Sequence, residues 1–171
     1  YLELIERVDM ITISEYARIL VGEQDIIHML TEGLGDSDLL VQPPNGGNCM
    51  EWVLGHIADG LKTIRRVREA LPPEHLPDLS RYQRGSEPII GSEPGLLGRE
   101  GLINALDMLH AAVQTRLAEM EDAAFDEDII IFGEQSYRRG WWALFFFFHH
   151  SYHVGQLEVL RNIAGKTEKL I

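Results

Sequence analysis

The chain has 171 residues, 45 % hydrophobic and 25 % charged, the composition of an ordinary globular protein of about one domain, expected here to span 1–171. Lys plus Arg number 15 against 27 Asp plus Glu, a formal charge of -12; such a field repels phosphate backbones and argues against nucleic acid as the main partner. One cysteine, Cys49, excludes an internal disulfide and, within one chain, zinc ribbons, iron–sulfur clusters and two-cysteine redox motifs, so a reducing cytoplasm is the expected location.

Helical periodicity dominates and predicts an all-α protein. From Tyr1 onward no basic region followed by an apolar stretch and cleavage site is visible, so no secretory signal is expected; residues 1–10 are expected to form a helical lead-in within an N-terminal stretch of 1–12. A first long helix is predicted over about 13–32, because Thr12 and Glu15 have capping-box spacing and Gly33 offers a left-handed stop. The second is predicted to start at Asn48 as N-cap, with Glu51 three positions on, and to stop before Pro72-Pro73. Residues 72–98 hold five of the seven prolines and four glycines, which predicts one long irregular connection, a crossover or a lid. A third helix follows over about 99–123, with Ile103, Leu106, His110, Val113, Leu117, Met120 and Ala124 on one stripe, and a fourth over about 136–163, ended by Gly165. Four such helices with one long connection, between the second and third, describe a four-helix bundle. The most apolar run, Trp141 to Phe148, is far short of the roughly 20 residues a membrane span needs, and its tryptophans and phenylalanines are expected in the core or at a dimer interface rather than as a stacking platform for bases.

The chemistry concentrates in the histidines. His149 and His153 stand at i and i+4, about 6 Å apart along the helix and about 40° apart around it, so two imidazoles can address one ion. Both share a stripe with Phe145, Phe146, Gln156 and Leu160, which faces them inward. His56 lies in the stripe of Trp52, Val53, Gly60 and Ile64 on the second helix and can supply a third imidazole from across the bundle. Three neutral imidazoles with one open position suit a catalytic metal, since a structural zinc would be closed by a fourth protein ligand. There is no His-Glu-x-x-His element for a zinc peptidase, and Asp107-x-x-His110 alone cannot make the paired Glu-x-x-His elements of a di-iron bundle.

Other candidates each carry two readings. His150, about 100° around the helix from His149, is expected at solvent or an interface, with His150 and His153 as the alternative pair. His110 is a hydrogen-bonded core histidine or a partner of the site; His28 and His75 have no supporting neighbours. Gln156 either orients an imidazole or a metal-bound water, or packs between helices, and Gly155 is expected to permit close helix approach. Asp59 either holds the second nitrogen of His56 or acts as a base, or is a solvated surface residue. Cys49, in the first helical turn, is either a dipole-favoured thiolate or a small buried residue.

The words Asn48-Cys49-Met50-Glu51-Trp52-Val53-Leu54-Gly55-His56 and His149-His150-Ser151-Tyr152-His153-Val154-Gly155-Gln156, the latter followed by Arg161, resemble the DinB/YfiT-like family, which carries Trp-x-x-x-His on its second helix and His-x-x-x-His-x-Gly-Gln on its last. The resemblance runs from about residue 13 to 165. It implies a four-helix bundle, a homodimer, and a divalent ion such as nickel, zinc or iron on His56, His149 and His153. It further implies a small-molecule substrate, with low-molecular-weight thiols as cosubstrates of a transferase or an isomerase. Where relatives often have Arg before the Gly-Gln pair this chain has Val154, so an anion grip at that position is not expected. The functions expected are therefore a mononuclear metal-dependent enzyme, working as a thiol transferase, an isomerase or a hydrolase, with Asp59, Gln156 and Cys49 as candidate catalytic residues. The alternative is a non-catalytic metal or small-ligand binding protein.

Overall fold

The computed structural model describes residues 11–67 and 70–170, and of Arg66 and Val67 the backbone alone; the expected lead-in over 1–10 and the end of the second helix before Pro72 lie outside the described residues. The protein is predominantly helical, with α1 (Ile13–Thr31), a single turn α2 (Asp36–Leu39), α3 (Met50–Val67), α4 (Gly98–Ala118) and α5 (Arg139–Ile163), plus two two-residue strands, β1 (Asp128–Ile129) and β2 (Tyr137–Arg138). No described helix is long and apolar enough to cross a membrane.

α1 begins and ends where local chemistry dictates. The Thr12 hydroxyl accepts from the Glu15 amide at 3.2 Å and the Glu15 carboxylate accepts the Thr12 amide at 2.9 Å, and the chain leaves the helix through Gly33 at φ +72°. Its buried side chains Ile13, Tyr16, Leu20, Glu23, Ile27 and Leu30 recur at three-and-four spacing, so one charged residue, Glu23, is carried into the core stripe.

The other three long helices start or stop away from the predicted residues, each because a distant partner wins. α3 starts at Met50 rather than with Asn48 as cap. Glu51 does not close a capping box: it is buried, and its Oε1 accepts the Tyr82 hydroxyl at 2.7 Å and the amides of Leu97 and Gly98 at 3.1 and 3.2 Å. α4 ends at Ala118 rather than 123, because Asp122 turns away to accept the Ile13 amide at 2.8 Å, capping α1, and residues Asp122–Asp126 tighten into a 3-10 turn. α5 starts at Arg139 rather than 136, because β2 pairs antiparallel with β1, Asp128 opposite Arg138 and Ile129 opposite Tyr137, and the Arg139 amide donates to Glu127 O at 2.7 Å. It ends, as the sequence predicts, at Gly165 with φ +88°.

α1 packs against α4 and α5, and α3 packs against the same two, so the four long helices follow one another around the core in the order α1, α4, α3, α5. α3 is buried on every side from Met50 to Ala58, because the α3–α4 connection covers the face that α4 and α5 leave open. That connection is irregular apart from a 3-10 turn at Ser80–Tyr82, as its prolines predict, and it is pinned rather than loose. Trp52 Nε1 donates to Ser86 Oγ at 2.9 Å, and Arg81 Nη1 donates to Glu87 O at 2.7 Å. At the far end of α5, buried Arg161 donates through Nη1 to Leu30 O and Glu32 O at 3.2 and 2.7 Å, satisfying carbonyls at the C-terminus of α1.

Candidate metal centre

Because α3 and α5 are neighbours, His56 faces His149 and His153. One ring nitrogen from each of the three lies within 4.8 Å of the others, and among the described residues they form the one such group of three or more His, Cys, Asp or Glu. Around a tetrahedral zinc, ligand nitrogens would stand about 3.4 Å apart, so a small inward movement would close the set. Ring centroids are 5.6 Å apart for His56 and His149, 4.9 Å for His56 and His153, and 4.7 Å for His149 and His153.

Two of the three rings have one nitrogen already engaged. His56 Nδ1 lies 3.0 Å from Tyr82 O; a carbonyl only accepts, so Nδ1 carries the proton and Nε2 keeps its lone pair. Trp52, one turn earlier, stacks on the same ring at 4.6 Å and 17°. His153 Nδ1 lies 2.8 Å from Gln156 Oε1, again leaving Nε2 as the free donor. His149 Nδ1 is buried with no hydrogen-bond partner, an orphaned nitrogen that a cation would satisfy. The donor set therefore fits a divalent ion that favours imidazole.

The electrostatics favour the neutral, ligating form. Burial pushes the His149 imidazolium down to about 4, and the neighbouring His153, His150, His56 and Arg84 push in the same direction. His153 is lowered by burial as well, with the Gln156 hydrogen bond acting against it.

Several expectations need correction. His150 is not at solvent or an interface: it is 1 % exposed, with Nδ1 3.7 Å from Glu23 Oε2 of α1 and Nε2 against Gly60. α5 is flanked by two helices, so a residue 100° from the metal-facing stripe meets α1 instead of water. Nor does it join the group of three, so the pairing of His150 with His153 does not form. Asp59 does not hold His56, because the Tyr82 carbonyl does; its Oδ1 accepts from Lys62 Nζ at 3.2 Å instead, while Asp59 lines the cavity beside the site. Gly155 permits no close helix contact, since a Cβ there would meet nothing within 4 Å; on α3 the close approaches are at Gly55, against Tyr82, and at Gly60, against His150. His28 is not unsupported, as its Nε2 lies 2.7 Å from Asp107 Oδ1.

Elsewhere the structure favours one of two readings. Gln156 Oε1 accepts from His153 Nδ1, which favours the reading in which it orients an imidazole. His110 is a core histidine, with Nε2 2.9 Å from Leu20 O. Cys49 is fully buried, and burial pushes its thiol up, which favours the reading as a small packing residue.

A cavity of about 560 Å³ opens beside His56 and His149. The aromatic run does not all pack into the core. Tyr137, Trp141 and Phe145 stack in one ladder, with centroids 4.3 and 5.3 Å apart and planes 17° and 11° apart, and they line this cavity. Trp142 and Phe146 form a second ladder, whose rings stand at 81° and 77° to Trp141 and Phe145 respectively. Arg84, from the α3–α4 connection, reaches the cavity as well. Arg84 and Tyr82 carry no signal in the sequence, and Glu51 carries only that of a capping residue, because their roles depend on how the connection folds back.

The family model of the DinB superfamily matches residues 19–157, most of the chain. A comparison with curated proteins finds no match.

Proposed function

The chain belongs to the DinB superfamily, and from that footing we propose that it is a mononuclear metal-dependent enzyme, with His56, His149 and His153 as the protein ligands of one divalent ion. The four long helices are, in this reading, the four-helix bundle of the family, with residues 72–98 as its long connection. The observation that carries the proposal is the convergence of three ring nitrogens from two helices, with the Nδ1 protons of His56 and His153 committed to Tyr82 O and Gln156 Oε1. Nickel, zinc or iron would suit the donors; when bound, such an ion lowers the pKa of a coordinated water or thiol and polarises a carbonyl.

The chain's own residues prepare the site for that chemistry. Tyr82 and Gln156 fix two rings by holding one nitrogen of each, the aromatic ladders give the cavity apolar walls, and Asp59 offers a carboxylate to the same cavity. The reaction class we propose is thiol transfer, isomerisation or hydrolysis of a small molecule. A non-catalytic metal or small-ligand binding protein is the second reading, favoured by the engagement of Asp59 with Lys62 and the burial of Cys49. We extend the proposal to a homodimer, supported by the exposed Phe148, Tyr152 and Val159 along α5; size exclusion with light scattering reads this directly.

Elemental analysis of the purified protein tests the metal reading. About one metal per chain is expected, lost in His56→Ala and His153→Ala; a metal content indifferent to both substitutions would overturn it. Single-turnover assays of thiols with electrophiles, and of activated esters, separate enzyme from binder, since product formation abolished by chelation is expected only of the enzyme.

A further inference from the structure

The cavity beside the histidines has a character of its own. Its walls are two sets of aromatic rings at near right angles, with Phe132 packed edge-on to Trp142 at 5.7 Å. Within a ladder each ring covers its neighbour's face, so these walls present ring edges along their sides and an open face at their ends, and they suit a planar apolar body that can stack on the end of one ladder and turn its face to the edges of the other. About 150 Å³ suffices for a benzene ring, so a cavity of about 560 Å³ has room for a two-ring molecule.

The polar groups at the cavity add a sign. Asp59 is tied to Lys62 at 3.2 Å, so its charge is already answered. Arg84 is exposed, and among the described residues no ion pair or hydrogen bond engages it. The uncommitted charge at the cavity is therefore positive, in a chain whose formal charge is -12.

From these observations we infer that the cavity receives a planar aromatic anion, its ring against the ladders and its anionic group at Arg84. The inference rests on the metal-centre reading for which end of the molecule reacts, and not for where the ring binds.

Isothermal titration of the zinc-loaded and the chelator-treated protein with 2-naphthoate, 2-naphthol, 2-naphthylmethylammonium and acetate tests it. Saturable one-to-one binding of 2-naphthoate is expected in both metal states, about tenfold tighter than 2-naphthol, the size of one charge-assisted hydrogen bond. Arg84→Gln and Phe132→Ala, both at exposed positions, should each weaken it about tenfold while circular dichroism and the melting temperature stay those of the parent.

The ammonium probe is the sharpest control, since the overall charge of the chain favours it wherever binding is non-specific. Ammonium or acetate binding as tight as 2-naphthoate would overturn the inference, as would affinity unchanged in both variants. Binding confined to the zinc-loaded protein would overturn it too, because the carboxylate would then be a metal ligand and nothing more. If metal content proves independent of the histidines while the chelated protein still binds 2-naphthoate, the metal reading falls and the aromatic-anion site stands.

Discussion

Tyr82 fills the space that any side chain on residue 55 would need: a Cβ at Gly55 would overlap the Tyr82 ring. The same residue presents its carbonyl to His56 Nδ1 and its hydroxyl to Glu51, so one glycine on α3 lets the α3–α4 connection settle close enough to fix a candidate ligand. Gly55→Ala should push Tyr82 away. Overpacking is expected to cost about 1–3 kcal/mol of stability, and loss of the carbonyl partner about 10–100-fold in metal affinity. Tyr82→Phe keeps the ring and the carbonyl but leaves Glu51 one donor short, so it should lower stability and largely spare metal affinity. Urea denaturation and competitive metal titration of both variants separate the two effects.

Gln156 is a second positioning residue, on the same helix as the ring it serves. Its Oε1 accepts from His153 Nδ1 at 2.8 Å, and Gln156 itself is only partly buried. Gln156→Leu should therefore change stability little, yet weaken metal binding about tenfold or more by freeing the ring to turn and to exchange tautomers. Gln156→Glu, which replaces a neutral acceptor with a charged one, should bind metal at least as tightly as the parent. Metal titration with a chromophoric competitor measures both, and equal loss in the two variants would argue against a hydrogen-bonding role.

What could be read from the sequence was what acts over one or two helical turns. Thr12 with Glu15 marked the start of α1, Gly33 and Gly165 marked two stops, and the i, i+4 spacing placed His149 and His153 together. Periodicity also put His56 on a buried face of α3, which was enough to nominate it as a third ligand. What escaped is non-local. Glu51 has the spacing of a capping residue, but three donors from 31 to 47 positions away take its carboxylate. His150 looked outward because a helical wheel does not say how many neighbours a helix has. Arg84 and Tyr82 sit in a segment without periodicity, and no pattern in it announces which residues will turn toward α3.

Cys49 illustrates a reading that the environment decides. The start of a helix favours thiolate, but Cys49 is fully buried and burial pushes its thiol up. A disulfide-exchange reagent at pH 8 should label it slowly in the folded protein and promptly after unfolding in urea. Cys49→Ala should leave metal content unchanged and cost about 1–2 kcal/mol for the small void it opens. Prompt labelling of the native protein, or metal lost with the thiol, would return Cys49 to the list of catalytic candidates.

The buried imidazoles also set how the metal-free protein responds to acid. His149 is held down to about 4 chiefly by burial, against roughly 6.5 in an unfolded chain, and His153 is shifted in the same direction. Above the unfolded value both states are neutral and the shift has no effect. As pH falls below about 6.5, the unfolded chain takes up protons that the folded chain refuses, so stability declines, and the His149 contribution levels off only near its folded value of about 4. The urea midpoint of chelator-treated protein should therefore fall on acidification through this window, and His149→Gln should flatten the fall. Zinc should raise the midpoint most at neutral pH and progressively less on acidification, because protons and metal compete for the same nitrogens. A pH profile identical in the parent and His149→Gln would show that carboxylate titration, not this imidazole, governs the acid limb.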